Sequence, residues 1–216
     1  MKEEKKRKIE IVPSINVFDF SELKRKIALV ESFVSWIHID VSDGVFTKHT
    51  SWHEAQDLIG FKTKAKIEVH LMIKNPEKQI DEWLKTPAER FIFHQEATHS
   101  HDLLIKRIHQ AQKEAGMAIK PDTPWLKFFR YFGKLELMQI LAVEPGPSGQ
   151  KFNDSVVDKI SHIRRICRQC IIEVDGGVNL GNAHVLKKEG ADVLVAGNAI
   201  FESTDIKKAV EELKNI

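Results

Sequence analysis

The stretch WIHIDVSDG, residues 36 to 44, places a histidine and an aspartate two residues apart inside an apolar run. Side chains in a strand alternate between its faces, so His38 and Asp40 share one face while Ile37, Ile39 and Val41 share the other. A strand covered on both faces normally reads as an almost continuous apolar run. An imidazole beside a carboxylate at the end of such a strand therefore asks what chemistry keeps the two together.

The same kind of run recurs along the chain. Short apolar, β-rich segments at 9–15, 35–41, 65–71, 90–95, 116–119, 137–143, 171–175 and 192–196 read as strands. Amphipathic helical patterns fall between them at 21–33, 76–85, 101–115, 154–168 and 183–189, with weaker ones at 52–60 and 124–132, and 204–215 closes the chain. Asn75-Pro76, Thr123-Pro124 and Asn153 read as helix starts, Gly116 and Gly190 as stops. Strict alternation implies a parallel sheet with helices outside it. Eight βα units favour a closed (β/α)8 barrel, of TIM type, over an open sheet. The 216 residues then form one domain, 1–216, with short loops.

Composition narrows the functional classes. A net charge of only +2 does not indicate a nucleic-acid partner, and no apolar run reaches membrane-spanning length. The apolar stretch at 9–15 is too short and interrupted for a signal peptide, so the cytoplasm is the expected compartment. The basic start MKEEKKRK, residues 1–8, reads as a solvated, frayed terminus. Cys167 and Cys170 form a lone CRQC at the end of a helical pattern, read as two reduced thiols.

In a barrel the C-terminal ends of all strands meet on one rim, where the chemistry sits. Ionisable residues gather at those ends: His38 and Asp40 on the second strand, His70 on the third, His94 and Glu96 on the fourth, Asp175 on the seventh. Two imidazoles and two carboxylates, His38, Asp40, His70 and Asp175, suit one divalent transition metal such as Zn, Fe, Mn or Co. Glycine-rich turns follow the last three strands, with Gly146, Ser148 and Gly149, then Gly176 and Gly177, then Gly197 and Asn198. Lys151, just beyond, is the nearest basic residue, so these turns suit a phosphate held by backbone amides. A single histidine at a strand end is commonly a core hydrogen-bonding residue, and a single Asp-Gly-Gly a plain turn. Their joint position on several strand ends argues for a site. His94 reads as a structural hydrogen bond at the rim. His49, His53, His99, His101, His109, His162 and His184 read as surface residues, and Trp125, Phe128, Phe129 and Phe132 as helix packing.

Laid end to end, PSI, WIHIDVSDG, EVHLMI, FHQEAT, AIKPDTP, VEPGPSGQKF, IEVDGGV and ADVLVAGNAIF resemble the ribulose-phosphate 3-epimerase family in order and spacing, from Val12 to Phe201. The resemblance implies a barrel with one divalent metal on His38, Asp40, His70 and Asp175. It implies inversion at C3 of D-ribulose 5-phosphate to give D-xylulose 5-phosphate, with Asp40 and Asp175 as the two acid/base groups. Ser14 and Met72 match substrate-contacting positions, with the phosphate on the glycine turns. Family members are commonly dimers or larger, so a homo-oligomer without nucleic-acid or membrane partners is expected.

This chain departs from the family near the substrate. Ser42 stands for a methionine, Val45 for a histidine, TSWHE for ITFG, Leu141 for a methionine, Pro147-Ser148 for Phe-Gly, and Asn198 for a serine. These departures leave open a related epimerase for another ketose phosphate, such as a hexulose 6-phosphate, or a metal-binding relative with little activity.

Overall fold

The computed structural model describes residues 8–216. All of the basic N-terminal segment except Lys8 lies outside the described residues. Among the described residues, β1 (Glu10–Ile15), β2 (Trp36–Ser42), β3 (Lys66–Met72), β4 (Arg90–His94), β5 (Glu114–Ile119), β6 (Leu137–Leu141), β7 (Ile171–Asp175) and β8 (Val193–Ala196) pair in chain order. All pairs are parallel, and β8 pairs back onto β1, which closes the barrel. The expected (β/α)8 architecture is the observed one.

Helices α1 (Phe20–Val30), α2 (Ala55–Leu58), α3 (Ile80–Trp83) and α4 (His101–Gln110) follow β1 to β4, a 3-10 helix follows β5, α5 (Val157–Ile166) and α6 (Leu180–Glu189) follow β6 and β7, and α7 (Asn198–Phe201) and α8 (Ile206–Lys214) both follow β8. In α1 the Asp19 side chain accepts the Glu22 N–H at the start. Leu23, Ile27 and Val30, spaced four and three apart, bury its inner face. Fully buried large side chains such as Trp83, Phe91, Phe93 and Phe128 form the layer between sheet and helices. Each such side chain contributes roughly 1.5–3 kcal/mol by leaving water.

Several boundaries differ from the sequence expectation. The 76–85 helix divides into a 3-10 turn at Pro76–Lys78 and α3. The 124–132 helix is a 3-10 helix, Trp125–Tyr131, in which Phe128 is buried but Phe129 faces solvent. The 101–115 helix stops at Gln110 because Gln112 takes φ 59°, and the next strand begins at Glu114. Gly116 is no helix stop. It lies inside β5, where a Cβ would come 2.8 Å from Ile92 Cγ1.

Cys167 and Cys170 are joined by a disulfide with Cα atoms 5.4 Å apart, which corrects the reading of two free thiols. The chain leaves α5 at Cys167 and turns back into β7, bringing the two Cα atoms within bridging range. The Arg164 guanidinium donates to the carbonyls of Cys167, Arg168 and Cys170 and holds that turn. No helix among the described residues is long and apolar enough to cross a membrane.

Inside the barrel two small apolar clusters, Val12/Val193/Val195 and Ile92/Ala118/Leu137, fill part of the space. The remainder is polar: His38, Glu68, Arg90, Gln139 and Glu173 are all buried. That buried polar layer supports the rim above it.

Candidate active site

Register places the rim residues. The β2–β3 pairing sets His38 beside Glu68 and Asp40 beside His70, while β6–β7 sets Leu141 beside Asp175. The four rim side chains converge, with one candidate ligand atom from each of His38, Asp40, His70 and Asp175 within 4.8 Å of the others. Asp40 Oδ1 lies 2.9 Å from His70 Nδ1 and 3.4 Å from His38 Nε2. Asp175 Oδ2 lies 3.6 Å from His70 Nδ1 and 3.9 Å from His38 Nε2. Ser14 Oγ donates to Asp40 Oδ2 at 2.7 Å, and Gln139 Nε2 donates to Asp175 Oδ2 at 3.1 Å.

His38 tests whether this group suits a metal. Its ring is buried and its Nδ1–H donates to Glu68 Oε1 at 2.7 Å, which leaves Nε2 without a hydrogen-bond partner among the described residues. An unpartnered imidazole nitrogen facing two carboxylates suits a cation. The carboxylate behind the ring is the arrangement that orients a metal-binding histidine. The buried group can hold a metal ion, and its N/O donor set accepts several first-row metals.

The two aspartates are driven apart. Burial opposes charge on Asp40, but the His38 charge and hydrogen bonds from His38 and His70 outweigh it and hold the carboxyl far below its usual range. Burial pushes Asp175 up, and the charge of Asp40 adds to it, to about 7. Burial also works against a charged His38, yet Asp40 and Glu68 together raise it well above an ordinary histidine. Without a metal, one aspartate is thus ionised at neutral pH while the other is poised to hold a proton.

Several buried polar groups here were not singled out from the sequence. Glu68 bridges His38 and Arg90, with Arg90 Nη1 donating to Glu68 Oε2 at 2.6 Å. Arg90 also pairs with Glu114 and lies over the Trp36 ring. Burial and the charge of Glu68 push Glu173 well above the carboxylate range. A signal was available: HID, EVH and EVD each carry an ionisable residue two positions before a rim residue, hence on the same inward face. His94 is fully buried, and its Nε2 is 2.9 Å from His70 Nε2. Burial lowers His94 to about 4, so the ring is neutral. Burial pushes Glu96 up, but hydrogen bonds from His94, the Lys120 N–H and the Thr123 hydroxyl hold it at about 2.

Beside Asp40 and Asp175 opens a cavity of about 380 Å³. Ser14, Met72, Leu141, Gly146, Pro147, Ser148, Gly149, Gly176, Gly177, Gly197 and Asn198 all line it. The described lining includes four carboxylates, Asp40, Glu144, Asp175 and Glu202, and no lysine or arginine. Gly177 takes φ 67°, and a Cβ there would lie 2.6 Å from the Phe152 nitrogen, so this turn admits only glycine without displacing backbone. Glu202 Oε1 accepts from Asn198 Nδ2 at 2.6 Å.

The divergent loop after β2 is tied down. Asp43 Oδ1 accepts the Val45 and Phe46 N–H groups, and Oδ2 accepts the Lys74 N–H. Val45 points to solvent, whereas Ser42 is buried with Oγ 3.9 Å from Met72 Sδ. His49, read from sequence as a surface residue, is half-buried. Its Nε2 lies 3.2 Å from Asn16 Oδ1, and Asn16 Nδ2 donates to the Gly146 carbonyl at 3.0 Å. His101 likewise is half-buried, with Nε2 2.8 Å from the Gln95 carbonyl.

Comparison with known proteins adds ancestry to this geometry. A 3-hexulose-6-phosphate synthase from Salmonella typhimurium superposes with a TM-score of 0.75 at 12% identity, covering 96% of this chain and 97% of that one, a likeness of fold alone. The chain is 32% identical to the ribulose-phosphate 3-epimerase of Schizosaccharomyces pombe, over 95% of this chain and 92% of that protein. Against that of Bacillus subtilis it is 35% identical over 95% and 98%. Against that of Synechocystis it is 36% identical over 97% and 94%. The family model described as the ribulose-phosphate 3 epimerase family matches residues 10–201, which takes in every rim and turn residue described above. The chain therefore belongs to the ribulose-phosphate 3-epimerase family, whose members are carbohydrate epimerases.

Proposed function

We propose that the chain inverts C3 of D-ribulose 5-phosphate to give D-xylulose 5-phosphate, with Asp40 and Asp175 as the acid/base pair. The observation that carries this reading is the pair of buried carboxylates, Asp40 and Asp175, that converge on one rim and line one cavity. Inversion at a carbon beside a ketone needs a base on one face of the planar enediolate and an acid on the other. Groups whose environments separate their proton affinities meet that need. In the forward direction the ionised aspartate takes the C3 proton and its protonated partner returns one to the opposite face. The return reaction exchanges the roles. Ser14 Oγ, donating to Asp40 Oδ2, turns Oδ1 toward His38 and His70.

The metal would be held by His38 Nε2, His70 Nδ1, Asp40 and Asp175, and when bound it supplies Lewis-acid stabilisation of negative charge on the ketone side of the substrate. The phosphate would rest on backbone amides of the turns at Gly146–Gly149, Gly176-Gly177 and Gly197-Asn198. Positive φ at Gly146, Gly149, Gly176 and Gly177 supports this placement.

The test is C3 epimerisation of D-ribulose 5-phosphate by protein loaded separately with Fe(II), Mn(II), Co(II) or Zn(II), with Asp175→Asn as the control. Turnover in the wild type is expected. In Asp175→Asn, inversion is lost while one-face exchange of the C3 proton with solvent persists, with metal occupancy measured alongside. Turnover of a hexulose 6-phosphate without the pentulose would replace the substrate. Near-wild-type turnover in Asp175→Asn would sink the two-aspartate assignment.

A further inference from the structure

His70 is backed by a chain of side chains that neither the acid/base pair nor the ligand set uses. Nδ1 of His70 faces Asp40 and Asp175, and Nε2 faces His94 Nε2 at 2.9 Å. His94 Nδ1 lies 3.3 Å from Glu96 Oε2. The other oxygen of Glu96 is already engaged by the Lys120 N–H at 2.9 Å and by the Thr123 hydroxyl. His70 and His94 are fully buried, and the Phe46 ring packs on His94 with centroids 4.9 Å apart.

Hydrogen-bond direction follows from the chemistry of each atom. A carboxylate only accepts, so Glu96 requires the His94 proton on Nδ1. His94 Nε2 is then bare and can only accept, so His70 must carry a proton on Nε2. With a cation bound, the direction set by Glu96 leaves His70 Nδ1 without a proton and able to hold it. Without one, His70 Nδ1 faces Asp40 Oδ1 at 2.9 Å, and the reverse direction, with Nδ1–H donating to Asp40, leaves a bare His94 Nδ1 facing the Glu96 carboxylate. His38 reaches the same state in one step, through Glu68.

We propose that His94 and Glu96 are positioning residues, an imidazole and a carboxylate that act through His70 by locking its proton on Nε2 and presenting Nδ1 to the metal. The proposal rests on the metal reading above and adds two residues that touch neither metal nor substrate. Loss of such an outer partner typically weakens metal binding by about 10–100-fold.

The experiment measures Zn(II) affinity by chelator competition, and imidazole ¹⁵N shifts of His94 in metal-free and Zn(II)-loaded protein. In the Zn(II)-loaded protein His94 is expected to be protonated on Nδ1 and bare on Nε2. His94→Phe, which keeps bulk but offers no acceptor, and Glu96→Gln are each expected to weaken Zn(II) binding by about 10–100-fold. His94→Gln, whose amide oxygen can accept from His70 Nε2–H, is expected to recover part of that loss. A His94 protonated on Nε2 in the Zn(II)-loaded protein would overturn the proposal. So would a lowered melting temperature in the variants with Zn(II) affinity unchanged, which is the behaviour of a purely structural pair. A wild-type protein that binds no Zn(II) would overturn the metal reading and the proposal with it.

Discussion

Glu68 Oε1 accepts from His38 Nδ1 at 2.7 Å at the centre of the barrel, with both side chains at 0% exposure. The same carboxylate takes Arg90 Nη1 at 2.6 Å. One buried anion thus neutralises a guanidinium below and orients an imidazole above. Removing it by Glu68→Ala strips Arg90 of its buried hydrogen-bonded partner, leaving the half-exposed Glu114 and the unbonded Glu173, and should destabilise the protein by about 3–5 kcal/mol. The double replacement Glu68→Met with Arg90→Leu should recover much of that loss, because no unpaired charge is left buried. Zn(II) affinity should stay low in both variants, since His38 loses its acceptor. Urea unfolding of metal-free protein and chelator competition measure the two effects separately. A double variant with full metal affinity would show that Glu68 does not orient His38.

Asp175 gives a pH dependence of definite sign. Burial first, and then the Asp40 charge, raise its folded pKa to about 7, against an ordinary aspartate near 3.8. A folded pKa above the unfolded one means that its stabilising contribution is complete below the unfolded value and is lost as pH rises through the folded value. Metal-free protein should therefore lose stability progressively between about pH 4 and pH 7 from this group. A cation beside Asp175 favours its ionised form, so in the absence of substrate metal binding should release more protons at pH 6 than at pH 8. Calorimetry in buffers of different ionisation enthalpy counts those protons. Equal release at both pH values would contradict the raised pKa.

Much of this arrangement is legible in the sequence because barrel geometry is repetitive. Strict βα alternation gives the architecture, and the strand-end positions of His38, Asp40, His70 and Asp175 follow from it. The supporting layer is harder to read. Glu68 and Glu173 sit two residues before rim residues, where alternation alone places them inward, but a lone glutamate in an apolar run also suits an outward turn of strand. Arg90 and Gln139 depend on cross-strand register, which a sequence does not state. The helix to strand change near Gln112 turns on a single positive φ at a residue without turn character. His49 looks exposed in sequence because its partner, Asn16, lies 33 residues away.

Gly177 offers a direct probe of the anion cradle. With φ 67° and the Phe152 backbone nitrogen 2.6 Å from where a Cβ would sit, Gly177→Ala must shift the turn after β7. If the turn supplies phosphate-binding amides, KM for the sugar phosphate should rise about tenfold, equivalent to about 1.4 kcal/mol. Zn(II) affinity should change little, because the substitution leaves Asp175 Oδ2 and its Gln139 partner in place. Steady-state kinetics beside inorganic phosphate inhibition separates phosphate binding from chemistry. A variant with unchanged KM and unchanged phosphate inhibition would move the phosphate elsewhere.

Asn16 connects two loops from opposite sides of the barrel mouth. Its Oδ1 meets His49 of the loop after β2, and its Nδ2 holds the Gly146 carbonyl of the loop after β6. Pro147 and Ser148, next to that carbonyl, line the cavity. Asn16→Ala removes both bonds, each worth about 0.5–1.5 kcal/mol net, from partly exposed groups. The expected result is a small change in global stability with faster amide exchange confined to residues 144–150 and 45–50. KM should rise more than kcat falls, because the loops bear on binding and Asn16 does not touch the two aspartates. Hydrogen exchange read by mass spectrometry follows the two segments independently. Faster exchange in only one of them would mean that Asn16 anchors that loop alone and does not couple the pair.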